Sequence, residues 1–507
     1  MLFHSIEFLV FFPVVVLLYA FLPRKCRALW LLIASYYFYM SWNAKYAILI
    51  AVSTLVTWAG SLLIGRIPKD AAAESPDSGQ SIPGVRRAVL ILVFVVNLGI
   101  LFFFKYFDFA IQSVNRAIGL IGISPVRASF DVLLPVGISF YTFQALGYCV
   151  DVYRGEEKAE KSLLRYALFV SFFPQLVAGP IERSGHLMRQ IDGIEEIRVR
   201  DAERIVNGLI LMLWGLFLKM VVADRVAIVA DTVFKRPYLY GTCGLITGAI
   251  AFSLQIYCDF NAYSTIARGA ARVMGFDLMD NFDTPYFAQS IADFWRRWHI
   301  SLTSWFRDYV YIPLGGNRCS RGRRYLNQMI TFLVSGLWHG AAWTYVAWGG
   351  LHGIYRIVGD LLKKPLTRIG DLMHVDRTAF SYRFGRIILT DILVVFAWIL
   401  FRAESLTAAG YYIGRMFTRP DPWTLFDGSL YRLGLEPFEA HVLMIMLLLL
   451  FLIDLIKYRR NEELPALLAR QNLWFRWAVL IGMILMILVY GAYGVDFHSE
   501  QFLYFTF

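Results

Sequence analysis

Long apolar runs recur along almost the whole chain, and they constrain its fold more than any other feature. About eleven runs approach the length needed to cross the roughly 30 Å hydrocarbon core of a bilayer. Because a backbone in lipid must satisfy its own hydrogen bonds, we predict an all-α polytopic membrane protein in which the shorter runs are re-entrant or interfacial helices. The runs are 6–22, 27–43, 46–65, 88–110, 134–150, 163–179, 205–223, 240–257, 326–348, 386–402 and 440–456, with a further candidate at 474–492.

The composition supports a single membrane-embedded body over residues 1–507. Hydrophobic residues make up 58% of the chain and charged residues 17%, whereas soluble domains are about half apolar and about a quarter charged. Phe, Tyr and Trp contribute 16%, which suits aromatic belts at membrane interfaces. The net charge is +11. Because the basic residues cluster between apolar runs, we attribute them to topology and anionic-lipid contact rather than to nucleic-acid binding.

Basic residues alternate between the loops that follow the first five apolar runs. The loops after the first, third and fifth runs contain more Lys and Arg than the loops after the second and fourth. Because Lys and Arg are enriched on the cytoplasmic side, the N-terminus and the loop at 43–46 are predicted to lie outside, and the flexible linker at 66–87 is predicted to be cytoplasmic. No internal repeat is evident, which argues against the common transporter folds.

The cysteines and histidines form no recognisable disulfide or metal pattern. The cysteines are odd in number without a C-x-x-C pair, and no His, Cys, Asp or Glu spacing matches a catalytic metal site. We therefore predict no metal and no bound cofactor. The cysteines are Cys26, Cys149, Cys243, Cys258 and Cys319.

The stretch 291–316 is too polar to span a bilayer freely. Its apolar residues recur at helical spacing, which predicts one helix that is interfacial or packed inside the protein and that ends at Pro313 and the glycines after it. Its arginines and Asp308 fall elsewhere on the helical wheel. The residues predicted on the apolar face are Phe294, Trp298, Leu302 and Trp305.

His339 is an ionisable residue in the run 331–350, which contains no Lys, Arg, Asp or Glu. In a helix that begins near Tyr325, it lies about 20 Å along the axis, past the middle of the membrane, and shares a face with Ser335 and Trp343. An ionisable residue at this depth is a functional-site candidate. A neutral imidazole can take the proton of a hydroxyl that attacks an acyl carbonyl. The alternative is a neutral histidine that hydrogen-bonds within the helix bundle.

Two further histidines lie near this region of the sequence. His299, within "RRWHISL", is a second catalytic candidate, with an interfacial histidine bound to backbone as the alternative. His352 follows His339 by thirteen residues, which on one continuous helix places it about 20 Å away and on a different face. We therefore expect His352 to lie outside the site unless Gly349–Gly350 breaks the helix.

Two histidine-containing blocks are long and specific: "DFWRRWHISLTSWFRDYVYIPLGGNR" and "SGLWHGAAWTYVAWGGLHG". Further motifs are "LPVGISFYTFQALGYCVDVYRG", "FPQLVAGPIER", "QIYCDFNAYS", "FAWILFRAESL" and "FLYFTF". Together they strongly resemble the membrane-bound O-acyltransferase (MBOAT) family, in its bacterial alginate O-acetyltransferase branch. The resemblance extends over nearly the whole chain.

The resemblance implies a multi-helix body around a central funnel or tunnel, with a family core at 134–356 and C-terminal helices at 380–507. It implies that His339 is the main catalytic residue and that His299 occupies a second position, where the family has His or Asn. The implied reaction moves an acyl group, expected to be acetyl, from a cytoplasmic thioester to a hydroxyl on an exported polysaccharide such as alginate. The donor would be acetyl-CoA or an acyl carrier protein. The enzyme would work in the bacterial inner membrane beside periplasmic acetyltransferase partners.

The chain departs from the family pattern after Asp259. Relatives often read Ser-Gly-Tyr-Ser-Asp following the Asp-Phe pair, whereas this chain reads Asn-Ala-Tyr-Ser-Thr at 261–265. Because an acidic position is lost, the resemblance does not carry over a role of that carboxylate in the acceptor path.

Several arginines are candidates to hold the phosphates of the donor, because a guanidinium donates paired hydrogen bonds to phosphate. The alternative is that they only set topology and contact anionic lipid. They are Arg296, Arg297, Arg307, Arg318, Arg321, Arg323 and Arg324.

Other polar and aromatic residues are candidates to line the tunnel or support the site, with packing, belt or salt-bridge roles as the alternative. They are Gln144, Glu182, Asp259, Tyr263, Trp298, Trp305, Asp308, Asn317, Ser335, Trp338 and Trp343.

Three other functions stay open on the sequence alone. The first is acyl transfer to a different acceptor, such as a teichoic acid, cellulose or a small molecule. The second is a transporter of lipid-linked glycans, which predicts internal repeats and several intramembrane carboxylates, and the sequence shows neither clearly. The third is a non-catalytic scaffold of a polysaccharide secretion complex, which has no need of His339.

Overall fold

The computed structural model describes residues 1–67, 83–122, 124–125, 134–176 and 179–491. Within these residues the secondary structure is helical, apart from one isolated antiparallel bridge between Phe282 and Trp298. The predicted all-α fold class is therefore confirmed. Most of the linker at 66–87, Arg127 and the closing "FLYFTF" motif lie outside the described residues.

The chain divides into two compact units. Unit 1 comprises Met1–Leu209 and Ala267–Met279, and unit 2 comprises Ile210–Ile266 and Asp280–Phe507. The helices of the first part of the chain are α1 (Ile6–Phe21), α2 (Arg27–Met40), α3 (Ala47–Arg66), α4 (Pro83–Leu101), α5 (Phe107–Gly119), α6 (Ile138–Arg154), α7 (Leu163–Ser171), α8 (Phe173–Leu176), α9 (Ser184–Asp192) and α10 (Ala202–Phe217).

The later helices include the two short elements that carry His299. The helices are α11 (Asp224–Lys235), α12 (Thr242–Met274), α13 (Ile291–Arg297), α14 (Ile300–Phe306), α15 (Arg321–His339), α16 (Trp343–Leu372), α17 (Phe380–Arg402), α18 (Leu406–Thr418), α19 (Pro437–Arg460), α20 (Leu464–Ala469) and α21 (Leu473–Tyr490). Three π-helical segments lie between helices, at Phe102–Tyr106, Leu218–Ala223 and Arg307–Tyr311.

Seven helical stretches in the described part of the chain are long and apolar enough to cross a bilayer. Each coincides with one of the apolar runs. The other runs form helices that are shorter or more polar: α2 has 14 residues and α7 has 9, about 21 Å and 14 Å of axis. The seven stretches are Ala44–Arg66, Gly84–Gly119, Ala202–Lys235, Thr242–Met274, Phe380–Arg402, Pro437–Arg460 and Leu473–Tyr490.

Buried polar side chains hold the helices of unit 1 together. Tyr166 donates a hydrogen bond to the Thr57 hydroxyl at 2.8 Å. Gln144 donates to the Phe169 carbonyl at 2.8 Å and accepts from Gln175 at 3.0 Å. These bonds give Gln144 the internal partners that a polar group inside a membrane protein needs.

Helices α15 and α16 of unit 2 form a hairpin that depends on glycine. A Cβ atom on Gly349 would lie 2.2 Å from the Phe332 carbonyl oxygen, and a Cβ atom on Gly336 would lie 2.3 Å from the Tyr345 carbonyl oxygen. Only glycine permits this approach of the two backbones, as at many helix contacts in membranes. The hairpin brings the last residue of α15, His339, beside the first turns of α16.

Candidate active site

His299 lies at a sharp break between α13 and α14. Its φ of 44° is in the left-handed region, which costs a non-glycine residue about 1–3 kcal/mol unless the surroundings impose it. Here a neighbouring segment does so. Trp298 forms the isolated bridge with Phe282, and the Ile300 amide donates to the Asn281 carbonyl at 3.0 Å.

The side chain of Asn281 strengthens the same contact. It accepts a hydrogen bond from the Ser301 hydroxyl at 2.6 Å and donates one to the Ser264 hydroxyl at 3.1 Å. Asn281, Ser301 and Ser264 are all buried. Trp298 and Ile300, on the two sides of His299, are therefore held by the segment that contains Asn281 and Phe282, and Asn281 in turn bonds to Ser264 of α12.

His339 ends α15 and lies in an enclosure of aromatic rings. Its ring centroid is 4.9 Å from that of Trp338, 5.1 Å from that of Trp348 and 5.5 Å from that of Phe401. The residue is 3% exposed. Aromatic packing of this kind excludes water and fixes the orientation of the ring.

The two imidazoles lie together inside this enclosure. The ring centroids of His299 and His339 are 6.3 Å apart, and Trp338 lies 6.0 Å from His299. Phe260 of α12 meets His299 edge-on at 4.6 Å. His299, which lies outside the seven apolar stretches, is fully buried, and burial lowers its pKa to about 3. A neutral imidazole at this position can donate one hydrogen bond and accept another.

The helix that contains His339 ends directly after this residue. The predicted continuous helix through His339 is therefore wrong. Gly340 ends α15 and α16 begins at Trp343. Trp343 is 48% exposed and does not share a helix face with His339, whereas Ser335, one turn before it on α15, is buried. A Cβ atom on Gly340 would lie 2.1 Å from the Tyr345 ring, so the turn needs glycine there.

The same turn corrects the expectation that His352 lies far from His339. His352 is fully buried on α16. The ring centroid of Trp348 lies 5.1 Å from that of His339 and 5.1 Å from that of His352. Its Nδ1 accepts a hydrogen bond from the Trp295 indole at 3.2 Å. The break occurs at Gly340, not at Gly349–Gly350, and the antiparallel return of α16 makes His352 a neighbour of the enclosure.

The predicted single helix over 291–316 is also wrong, although its apolar face is confirmed. The stretch forms α13, the break at His299, α14 and a π-helical turn. Phe294, Trp298, Leu302 and Trp305 are all buried. The helix is interrupted at the bridge because the Ile300 amide donates to the Asn281 carbonyl and the Arg297 carbonyl accepts from the Asp283 amide.

Comparison with known proteins identifies the family of this chain. A sequence profile described as "MBOAT, membrane-bound O-acyltransferase family" matches residues 156–389. "Probable alginate O-acetylase AlgI" of Pseudomonas syringae pv. tomato is 38% identical over 91% of this chain and 83% of its own. The Pseudomonas putida protein of the same name is 35% identical over 100% of both chains. This chain belongs to the membrane-bound O-acyltransferase family.

A third relative extends the range of acceptors found in the family. The "Peptidoglycan O-acetyltransferase" of Helicobacter pylori is 34% identical over 75% of this chain and 72% of its own. The present chain is accordingly an enzyme, an O-acyltransferase built from membrane helices.

The arginines next to His299 are held by carboxylates of this O-acyltransferase. Arg297 pairs with Asp283 at 3.2 Å and with Asp293 at 3.3 Å. Arg307 pairs with Asp308 at 2.7 Å. Arg296 pairs with Asp293 at 3.4 Å, but its side chain is 74% exposed.

The arginines at the start of α15 lie at the opposite end of that helix from His339, about 27 Å away along the axis. Arg324 pairs with Asp360 at 2.5 Å, and Arg321 donates to the Tyr325 hydroxyl at 2.8 Å. Arg318 and Arg323 are exposed and form no ion pair with a described residue. Arg324 is therefore committed to the hairpin, whereas Arg318, Arg321 and Arg323 remain available to a ligand.

A buried charge cluster is the feature that sequence analysis missed. The Lys219 ammonium lies 2.7 Å from Asp224 and 2.9 Å from Asp259, with all three side chains at most 4% exposed. It also lies 5.9 Å from the Tyr263 ring centroid. Asp259 precedes Phe260, so the cluster anchors the turn of α12 that contacts His299. The sequence contains one indication of this cluster, because Lys219 is a charged residue inside the apolar run at 205–223.

The apolar stretches contain more carboxylates than the sequence clearly indicated. Six aspartates lie on the seven apolar stretches: Asp108, Asp224, Asp231, Asp259, Asp391 and Asp454. Asp224 and Asp259 pair with Lys219, and Asp454 accepts a hydrogen bond from the Tyr257 hydroxyl at 2.8 Å. Most of these carboxylates thus have a structural partner.

The remaining candidates occupy other parts of the two units. Glu182 of unit 1 accepts a hydrogen bond from the Met279 amide at 2.6 Å and pairs with His186 at 2.7 Å. Asn317 is exposed and accepts from the Tyr311 hydroxyl at 2.8 Å. Within the described residues, no group of three or more His, Cys, Asp or Glu side chains is placed to hold a metal ion.

Proposed function

We propose that this O-acyltransferase moves an acetyl group from a thioester donor to a hydroxyl of an exported polysaccharide such as alginate. The main support is the pair of buried imidazoles, His299 and His339, with ring centroids 6.3 Å apart. The names of the relatives support the acetyl group and the polysaccharide, since they are alginate and peptidoglycan O-acetylating enzymes.

In the proposed reaction His339 acts as the general base. It takes the proton of the acceptor hydroxyl while the oxygen attacks the thioester carbonyl carbon, and the new C–O bond gives a tetrahedral intermediate. The C–S bond then breaks, and the departing thiolate takes the proton back from His339. His299 lies close enough to orient the acceptor or to donate a hydrogen bond to the developing oxyanion. The atoms balance without a resident cofactor.

The donor is proposed to be acetyl-CoA or an acyl carrier protein that approaches from the cytoplasm. Two sets of exposed arginines are candidate phosphate sites: Arg318 with Arg321 at the far end of α15, and Arg296 three residues before His299. If the first set binds donor, Arg318→Gln with Arg321→Gln raises the donor KM, and Arg296→Gln leaves it unchanged. The opposite pattern places the donor phosphates beside His299, and unchanged KM values in both variants remove the arginines from the donor site.

We propose further that the enzyme lies in the bacterial inner membrane with its N-terminus in the periplasm. This orientation is supported by the alternation of basic loops. Membrane lipids surround the enzyme, and periplasmic acetyltransferase partners that receive or position the polysaccharide are expected beside it.

The deciding experiment follows labelled acetyl thioester with purified protein. We expect transfer of label to alginate oligosaccharide in the wild type and none in His339→Ala. Peptidoglycan fragments and teichoic acid serve as competing acceptors. They are included because one relative is named as a peptidoglycan O-acetyltransferase, so a hydroxyl on a different polymer is the main alternative acceptor. A transporter or a scaffold consumes no donor with any acceptor, so absence of turnover with both thioesters and all acceptors rejects the proposal.

A further inference from the structure

A basic cavity of about 670 Å³ lies in unit 1. Its walls come from the end of α3, the start of α4, and the turn after α6. The residues that carry the inference are Trp58, Leu62, Arg66, Arg86, Lys158 and Lys161.

The four cations of this cavity form no ion pair with a described residue. Arg86 is 8% exposed, and its Nη2 donates to the Tyr153 carbonyl at 2.9 Å while its guanidinium lies 5.4 Å from the Tyr153 ring centroid. Arg66, Lys158 and Lys161 are exposed. One carboxylate, Glu157, also lines the cavity, so its walls carry a clear excess of positive charge. Such an excess in a concave site favours an anionic ligand.

The cavity is built into the fold. The Trp58 indole donates to the Glu160 carbonyl at 2.9 Å, and the Tyr148 hydroxyl accepts from the Glu160 amide at 2.6 Å. A Cβ atom on Gly65 would lie 2.9 Å from the Ala159 side chain, so the segment with Lys158 packs directly on α3. The lysines are therefore held at the cavity by a fixed backbone.

The position of the cavity identifies the kind of anion. Arg66 is the last residue of one apolar stretch, and Arg86 is the third residue of another, Gly84–Gly119. Cations at the ends of spanning helices lie at the level of lipid headgroups. Trp58 and Leu62 continue from the cavity into the apolar body of α3, which suits an acyl chain. We propose that this cavity binds the headgroup phosphate of an anionic phospholipid.

The test uses the delipidated full-length protein, titrated with dioleoylphosphatidylglycerol or dioleoylphosphatidylcholine and followed by native mass spectrometry. We expect the wild type to prefer the anionic lipid. Lys158→Gln with Lys161→Gln should weaken that binding about tenfold, because each cation near an anionic headgroup contributes to the free energy of lipid binding. Glu157→Gln should strengthen it. The exposed lysines are chosen because Arg86 is buried and bonded to the Tyr153 carbonyl.

The matched control is Lys363→Gln with Lys364→Gln, an adjacent pair of exposed lysines on α16, which should leave binding unchanged. Equal affinity for the two lipids, or equal weakening by the control pair, overturns the proposal. Displacement of the anionic lipid by acetyl-CoA, with loss of that displacement in Lys158→Gln/Lys161→Gln, would instead assign the cavity to a soluble phosphate ligand. No acyl transfer is measured, so the outcome is independent of the proposed reaction.

Discussion

His339 and His299 are held by different backbones, and this difference predicts different effects of mutation. His339 ends a regular helix, so His339→Ala should leave the helix intact and remove the proposed base. We expect turnover to fall by about 10²–10⁴-fold, the usual contribution of general base catalysis, with unchanged abundance in the membrane. A variant that keeps more than about a tenth of wild-type turnover at equal abundance shows that His339 is not the base.

His299 adopts a left-handed backbone conformation at the break between α13 and α14, in addition to its proposed role in the reaction. Because Asn tolerates the left-handed region better than Ala does, His299→Asn should keep a melting temperature near that of the wild type, and His299→Ala should melt at a lower temperature. Both should lose turnover if the imidazole contributes to the reaction. If His299→Asn retains full turnover, the residue serves only to shape the break between α13 and α14.

Lys219 is the single cation between two buried aspartates. Lys219→Met leaves Asp224 and Asp259 without their common partner, and loss of one member of a buried ion cluster typically costs about 3–5 kcal/mol. We expect a clearly lower melting temperature in detergent, and partial recovery when Asp259→Asn is added, because the second change removes one uncompensated carboxylate. Wild-type stability in Lys219→Met contradicts an anchoring role for the cluster.

At the scale of the element, the α15–α16 hairpin depends on two glycines that nothing else can replace. Gly349→Ala places a methyl group against the Phe332 carbonyl, 2.2 Å away, and overpacking of this kind costs about 1–3 kcal/mol. We expect a lower melting temperature together with lower turnover, since the hairpin sets His339 against Trp348.

Gly359 provides the matched control on the same helix. A Cβ atom there meets nothing within 4 Å, so Gly359→Ala should be neutral or stabilise the helix by up to about 1 kcal/mol. Equal effects of the two substitutions would show that the contact between the helices does not require glycine.

The short elements also explain which sequence predictions failed. The apolar residues of 291–316 were correctly assigned to a buried face, but the break at His299 depends on Asn281 and Phe282, which belong to a different segment. The spacing of apolar residues indicates which face of a helix is buried. It does not indicate where the backbone of a distant segment replaces the hydrogen bonds within that helix.

At the scale of the whole molecule, the alternation of basic loops predicts the orientation of the first helices. Cys26 is exposed and lies in a loop predicted to be cytoplasmic, so an impermeant thiol reagent added to intact cells should not label it. Asn43→Cys in a Cys26→Ser background should be labelled. Labelling of Cys26 in intact cells reverses the orientation. Protection of both sites shows that α2, with 14 residues, does not cross the bilayer.

The sequence by itself determined the helical membrane fold and the family, and it predicted the two leading histidines. Each of these is encoded locally, by long apolar runs, by specific motifs and by ionisable residues in apolar surroundings. Only the tertiary structure decided that His299 and His339 lie 6.3 Å apart, that His352 adjoins the same tryptophan, and that Lys219 is paired. These depend on a turn at Gly340, a left-handed residue and contacts between distant segments, which arise from packing and leave no periodic trace in the chain.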